Sequence, residues 1–195
     1  GEGCDQLLGQ CDAFDVSILI NNFGAADSGT WQSQDEDDWI LAYQKNVLSA
    51  QRLIAGMLPK LIAAPWARII NLGTVGSTSP NARMPGYDAA KGALANMTIG
   101  LAKEVAGSNI RVNLVSPGMI HTPEVEHSYM QLAAKRGWGD TGAEVEPHVA
   151  KDIPIRRISR REEVAGLVAF LCSPLADAIH GQNIRIDGGQ LGIVD

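Results

Sequence analysis

The sequence has few of the features that would direct a protein to a membrane, to nucleic acid or to secretion. No apolar run reaches the roughly 18 residues of a membrane span, and the N-terminal stretch lacks the basic-then-apolar pattern of a secretory signal. Lysine and arginine total 16 against 22 acidic residues, for a net charge of -6, which argues against nucleic acid or an anionic membrane as a partner. We therefore expect a cytoplasmic protein that binds a small molecule.

Cysteine is scarce as well. The three cysteines are an odd number without metal-ligand spacing, which fits a reducing compartment better than a disulfide framework. His121 and His127 lie near Glu124 and Glu126, but six residues apart they lack the i, i+4 spacing of a helical zinc site. The sequence therefore predicts no metal site.

Apolar residues are abundant, and they occur in short segments whose patterns alternate between those of strands and those of helices. Of the 195 residues, 45% are hydrophobic, enough for one domain spanning residues 1–195. Apolar runs typical of strands cover 16–22, 67–72, 109–118 and 181–189, and the first is predicted to be buried on both faces. Helical patterns cover 39–61, 86–107 and 161–173, the first opened by Ser33 and Glu36 at capping-box spacing. The alternation predicts an α/β fold, with a parallel sheet and helices on both faces.

The stretch "GWGDTG", residues 137–142, matches the glycine spacing of a dinucleotide-binding loop. That loop works only between a strand and a helix, where a pyrophosphate meets the helix N-terminus. Here the preceding segment favours a helix, and "AEVEPHVA" downstream opens no clear apolar helix. We interpret Gly137, Gly139 and Gly142 as part of a flexible loop instead.

Tyr87 and Lys91 in "YDAAK" stand four residues apart on a predicted helix, so their side chains share one face. A neighbouring ammonium favours the phenolate, so Lys91 is expected to lower the pKa of Tyr87 from about 10. The same spacing is common on ordinary helix surfaces. The catalytic interpretation gains support from Thr74, which follows a predicted strand at the end where open α/β sheets place their ligands.

Four segments together identify a family. In order along the chain they are "NNFG" (21–24), "YDAAK" (87–91), "PGMIHT" (117–122) and "IDGG" (186–189). They resemble the Asn-Asn-Ala-Gly, Tyr-x-x-x-Lys and Pro-Gly-x-x-x-Thr motifs and the closing strand of the short-chain dehydrogenase/reductase superfamily. The resemblance covers the chain from about residue 16 to its end and implies a Rossmann-type, doubly wound fold.

The resemblance also implies an activity: an oxidoreductase that interconverts a ketone and a secondary alcohol with NAD or NADP. Tyr87 would be the general acid/base, and Lys91 would bind the nicotinamide ribose and keep the phenolate accessible. Asn46 would hold a water of the proton relay, and Thr74 would anchor the substrate oxygen. Further cofactor contacts would come from Asn21, Gly24, Pro117, Gly118, Ile120 and Thr122. A homo-oligomer, a dimer or tetramer, is implied by the resemblance alone.

The chain also departs from the family pattern. Threonine replaces the usual serine at Thr74, with Ser77 as a second candidate hydroxyl, and Phe23 replaces a small alanine. The family's glycine-rich phosphate loop follows its first strand, whereas this chain is expected to begin just before the fourth, which would leave 16–22 as an exposed apolar edge. The alternative interpretation is therefore a non-catalytic fragment or relative that keeps the fold for assembly or small-molecule binding.

Residues 119–155 are predicted to form a lid over the substrate. In that interpretation Gly137, Gly139 and Gly142 are hinges, and Tyr129 and Trp138 face the substrate. The mixture of these aromatics with charged residues suggests a medium-sized, partly apolar ketone.

Overall fold

A parallel sheet organises residues 2–193, the part of the chain that the computed structural model describes. Its strands are β1 (Ile18–Asn21), β2 (Ala67–Leu72), β3 (Ile110–Pro117) and β6 (Asn183–Ile186), in that spatial order. All three pairings are parallel, so the C-terminal ends of the strands meet at one edge. The short strands β4 (Ile120–His121) and β5 (Ser159–Arg160) form a separate parallel pair.

Seven α-helices surround the sheet in the described part of the chain. They are α1 (Glu2–Cys11), α2 (Glu36–Tyr43), α3 (Ser49–Ala63), α4 (Pro85–Glu104), α5 (Pro123–Arg136), α6 (Gly142–Val149) and α7 (Arg161–Leu171). A π-helical turn, Gln44–Leu48, joins α2 to α3, and 3-10 turns occupy Val75–Ser77 and Pro174–Ala176. Within residues 2–193, none of the helices combines the length and apolar character needed to cross a membrane.

The core lies on both faces of the sheet, as the alternation of strands and helices predicts. Side chains alternate along β2, so Ile69 packs with residues of α3 and α4 on one face. Its neighbour Ile70 packs with Val164 and Leu171 of α7 on the other face. The predicted doubly wound sheet with helices on both faces is confirmed.

Two local predictions are wrong. β1 pairs only with β2 in the described sheet, and Ile18 and Ile20 are 38% and 46% exposed, so this strand is buried on one face rather than two. Helix α2 is capped by Asp35, whose carboxylate accepts from Asp38 N at 3.0 Å. Ser33 does not cap it, because its hydroxyl accepts from Thr30 N in the preceding turn.

Candidate active site

The C-terminal ends of β1, β2 and β3 border a cavity of about 180 Å³. Eleven residues line it: Asn22, Gly24, Ala25, Ala26, Leu72, Gly73, Tyr87, Lys91, Pro117, Ile120 and Val164. Five of the predicted site residues therefore share one cavity, at the edge where open α/β sheets place their ligands.

Lys91 reaches this cavity from α4 and is only 4% exposed. Its Nζ donates to the carbonyl oxygen of Leu72 at 2.7 Å and lies 5.8 Å from the centroid of the Tyr87 ring. Burial lowers the pKa of Lys91 to about 8, because desolvation disfavours the ammonium. The predicted proximity of the two side chains is confirmed.

The pKa of Tyr87 moves in the direction opposite to the one expected. Burial of the phenol raises the pKa of Tyr87, and the negative charge of Asp88 raises it further. A hydrogen bond from the Thr74 hydroxyl lowers it, but by less. The predicted lowering is therefore wrong for this structure, because desolvation and the charge of Asp88 outweigh the hydrogen bond from Thr74. At neutral pH Tyr87 carries its proton.

Thr74 follows β2 and caps the 3-10 turn that comes next. Its Oγ1 accepts from Gly76 N at 3.3 Å, which leaves the hydroxyl proton to act on the Tyr87 side chain. The hydroxyl of Ser77, the second candidate, donates to the carbonyl oxygen of Thr74 at 2.7 Å. Ser77 therefore supports the turn that carries Thr74.

Asn46 lies in the π-helical turn and is 1% exposed. Its Nδ2 donates to the carbonyl oxygens of Ala25 and Ala42, both at 3.0 Å, and its Oδ1 accepts from Ala25 N at 3.2 Å. A Cβ at Gly24 would lie 2.5 Å from this Oδ1 and 3.1 Å from Lys91 Nζ, so only glycine fits there. Single-turn π-helices are frequent at functional sites, but the sequence shows no signal for this one.

Asn21 is oriented away from the cavity. Its Nδ2 donates to Asn71 Oδ1 at 2.8 Å, and Asn71 in turn donates to Thr98 of α4 at 2.9 Å. This buried chain of amides ties β1, β2 and α4 together, and Asn22 lines the cavity instead. Asn21 therefore has a structural role under the site, and its predicted contact with a cofactor stays a prediction.

At the end of β3 and just after it, two of the four residues predicted to contact the cofactor line the cavity and two do not. Pro117 and Ile120 line the cavity, whereas a Cβ at Gly118 would meet Asp187 Cβ at 2.9 Å. Thr122 is the N-cap of α5, where its Oγ1 accepts from Val125 N at 3.3 Å. The Thr122 hydroxyl proton stays available, but the residue is not part of the cavity wall.

The predicted lid segment has a hydrophobic cluster of its own. Its buried members are Tyr129, Ala133, Val145, Ala150 and Ile153, joined by Ile158 from just beyond the segment. Tyr129 is 5% exposed and its hydroxyl lies 3.2 Å from His121 Nε2, while Trp138 packs on the cluster and stacks on His148 with ring centroids 5.1 Å apart. Both aromatics pack against the segment's own cluster, Tyr129 as a buried member and Trp138 as a partly buried one, and their contact with a substrate stays a prediction.

The "GWGDTG" stretch is a short connection between two helices. Gly137 ends α5 in the left-handed conformation with φ 65°, and Gly142 begins α6. Thr141 caps α6 in a capping box with Glu144, a threonine-x-x-glutamate signal that the sequence analysis missed. The absence of a helix in "AEVEPHVA" was therefore wrongly predicted, and this glycine pattern does not follow a strand.

The comparisons with known proteins agree with this geometry. Residues 4–190 match the family model described as Enoyl-(Acyl carrier protein) reductase. The uncharacterized oxidoreductase YvrD of Bacillus subtilis is 34% identical over 178 residues, which cover 90% of this chain and 67% of that protein. The 3-oxoacyl-(acyl-carrier-protein) reductase FabG of Haemophilus influenzae is 31% identical over 190 residues, 96% of this chain and 73% of that protein.

Among solved structures, the L-sorbose reductase of Gluconobacter frateurii in complex with NADPH and L-sorbose is similar, with a TM-score of 0.91 and 31% identity. The match covers 99% of this chain and 74% of that one. The chain therefore belongs to the short-chain dehydrogenase/reductase superfamily of oxidoreductases.

Proposed function

We propose that this protein interconverts a ketone and a secondary alcohol with NAD or NADP, and that Tyr87 is the general acid/base. The observation that carries the proposal is the convergence of Tyr87 and Lys91 on one cavity, with Thr74 acting on the Tyr87 hydroxyl. The likeness to a reductase solved with NADPH adds support. Nicotinamide, when bound, supplies or accepts the hydride.

The residues of the cavity fit a nicotinamide nucleotide. Gly24 lets the backbone after β1 approach Asn46 and Lys91 closely, since a Cβ there would lie 2.5 Å from Asn46 Oδ1, and this backbone borders the cavity. Lys91 Nζ carries three donors in its charged form, and only one is used on Leu72 O. Two donors are left for the vicinal hydroxyls of a ribose. Pro117 and Ile120 would border the nicotinamide end.

Tyr87 would give its proton to the carbonyl oxygen of the substrate. Its raised pKa keeps the phenol protonated at neutral pH, which suits reduction better than oxidation. The Thr74 hydroxyl, whose oxygen already accepts from Gly76 N, would donate to the same substrate oxygen and orient it. A ketone whose oxygen accepts from both hydroxyls would receive its proton from Tyr87 while Thr74 holds it in place.

Asn46 would support the proton relay from beside Lys91. Its amide nitrogen is fully used on Ala25 O and Ala42 O, but Oδ1 has a second lone pair for a relay water. We further propose that residues 119–155 close over the substrate within one Rossmann-type domain. The predicted cytoplasmic location and homo-oligomeric state stay predictions from sequence and resemblance.

The test is Tyr87→Phe, with Tyr43→Phe as the matched control because Tyr43 is an exposed tyrosine of α2. Loss of a general acid lowers turnover by about 10²- to 10⁴-fold, so Tyr87→Phe should lose nearly all ketone-dependent oxidation of NADPH or NADH. Its melting temperature should stay close to that of the unmodified protein. Full activity in Tyr87→Phe would refute the mechanism. Failure of both cofactors to bind the unmodified protein would favour the non-catalytic alternative.

A further inference from the structure

Asp88 is a buried acid directly after Tyr87, in the first turn of α4, and only 3% of it is exposed. Its Oδ2 accepts two hydrogen bonds from one residue, from Asn81 N at 2.8 Å and from Asn81 Nδ2 at 3.1 Å. Asn81 lies in the connection between β2 and α4 that begins with Thr74. The carboxylate therefore holds the far end of that connection against the helix that carries Tyr87.

The other carboxylate oxygen contacts the near end of the same connection. A Cβ built on Gly76 would lie 2.1 Å from Asp88 Oδ1, so the carboxylate fits against this backbone only because residue 76 is glycine. Gly76 N is also the group that donates to Thr74 Oγ1. One side chain thus contacts the connection at two points, and the nearer point is bonded to Thr74.

The arrangement is costly for stability. Among the residues described, no donor reaches Asp88 Oδ1 although that atom is buried, and an unsatisfied buried acceptor destabilises the fold. Burial also raises the pKa of Asp88. An asparagine oxygen could accept from Asn81 N in the same way, so what this arrangement requires at position 88 is a buried acceptor that reaches residue 81.

We propose that Asp88 is a positioning residue of the active site, which fixes the connection carrying Thr74 to the helix turn carrying Tyr87. The inference rests on the function proposed for those two residues. Both hydroxyls must meet one substrate oxygen, and a displacement of about 1 Å can cost about 100-fold in rate. Asp88 is the side chain that joins the connection to the helix turn, although it does not line the cavity.

The test compares Asp88→Ala, Asp88→Asn and Asn81→Ala, with Asp37→Ala as a control at an exposed acid in the first turn of α2. Two quantities are measured for each: amide hydrogen exchange over residues 75–83, and kcat and KM for ketone and cofactor. Asp88→Ala should exchange faster over 75–83 and lose about tenfold to 100-fold in kcat. Its KM for the cofactor should change little, because Lys91 and Ile120 remain in place.

Asp88→Asn should restore most of the exchange protection and most of kcat, since an amide oxygen can still accept from Asn81 N. Asn81 is exposed, so Asn81→Ala should leave the core intact. Its effects on exchange and on kcat should be intermediate, and it keeps the test decisive if Asp88→Ala does not fold. Unchanged exchange in the Asp88→Ala or Asn81→Ala proteins would overturn the inference. So would faster exchange with unchanged kcat in an active enzyme.

These outcomes separate the inference from the proposed function. The exchange measurement reports the attachment of residues 75–83 whether or not a ketone is reduced. An unmodified protein that binds no cofactor and reduces no ketone refutes the proposed function, and with it the positioning of Thr74 and Tyr87 for catalysis by Asp88. An active unmodified protein with unaffected Asp88 variants refutes the inference alone.

Discussion

Polar side chains are buried at the cavity and directly beside it, whereas the adjoining segment 119–155 buries mainly apolar ones. Lys91 and Asn46 are 4% and 1% exposed, and their hydrogen bonds go largely to main-chain carbonyls. Beyond Ile120 the chain forms a small hydrophobic cluster of its own around Tyr129, Val145 and Ile158. The two regions share a boundary but not a core.

Ion pairs and hydrogen bonds connect residues 119–155 and the stretch just after them to β5 and α7. Glu146 of α6 accepts from Ile158 N at 2.9 Å and pairs with Arg160 of β5 at 2.8 Å. Arg157 pairs with Glu163 of α7 through two bonds of 2.7 Å, and Arg157 holds the pKa of that carboxyl down at about 2. We infer that residues 119–155 can loosen without unfolding the sheet. Substitutions in the two regions should therefore have different signatures, and the following predictions test that difference.

The largest effect is expected for Lys91→Met. Activity should fall by about 100-fold or more, because a charge that stabilises the reacting groups is lost. Stability near neutral pH should be unchanged or higher, since burial lowers the pKa of Lys91 to about 8, which corresponds to a penalty of about 3 kcal/mol on the charged form. Loss of the bond to Leu72 O offsets part of this gain.

The same variant has a pH signature. Between pH 8 and 10.5 the unfolded chain keeps the Lys91 proton and the folded protein releases it. The free energy of unfolding therefore rises with pH across this window, and Lys91→Met should lose that rise. Denaturant titrations on both sides of the window measure it. Lys103→Met, at an exposed position of α4, is the control, and an equal change in both variants would refute the assignment to Lys91.

Ile158→Ala should have the opposite effect to Lys91→Met, because it should lower stability strongly and turnover only a little. Ile158 lies just beyond residue 155 and is fully buried against the cluster of 119–155. An isoleucine truncated to alanine in a core costs about 2–5 kcal/mol. Hydrogen exchange should rise in α5 and α6 while the sheet stays protected, and KM for the ketone should rise more than kcat falls. Ile155→Ala, at a position that is 46% exposed, is the control. Equally faster exchange in β2 and β3 would mean that the two regions unfold together.

Gly139→Ala should have a smaller effect, confined to the same segment. Gly139 has φ 117°, and a Cβ there would meet Glu144 Cβ at 2.7 Å. Such strain costs about 1–3 kcal/mol, so KM for the ketone or turnover should change while cofactor affinity does not. Binding titrations with NADPH and steady-state kinetics with the ketone measure these quantities. The control is Gly166→Ala in α7, where a Cβ would meet open space. A selective loss of cofactor affinity would contradict the hinge role.

Thr74→Ser should have the smallest effect. Serine keeps the hydroxyl that accepts from Gly76 N and can still donate to a substrate oxygen. The loss in kcat/KM should stay below about fivefold, or about 1 kcal/mol. Thr74→Ala, which removes the hydroxyl, is the comparison, and steady-state kinetics of both variants decide the matter. Equal losses in the two would mean that the methyl group, not the hydroxyl, is what the site requires.

The sequence alone determined the four strands of the main sheet and the helices α3, α4 and α7 between them, because the period of an apolar pattern is a local property. Residues 67–72 were predicted as a strand and are β2, and the helix predicted for 86–107 is α4, Pro85–Glu104. The parallel order of the strands then brings their C-terminal ends together. Gly24, Tyr87, Lys91, Pro117 and Ile120 accordingly line one cavity.

The tertiary structure alone decided where particular side chains point and what surrounds them. Asn21 bonds across the sheet to Asn71, Tyr129 is buried beside α6, and Asp88 reaches back to Asn81. The pKa of Tyr87 rises rather than falls, because desolvation depends on everything packed around the phenol and not on the lysine four residues away. Each of these outcomes depends on packing against groups that no local pattern encodes, and such contacts exist only once the chain is folded.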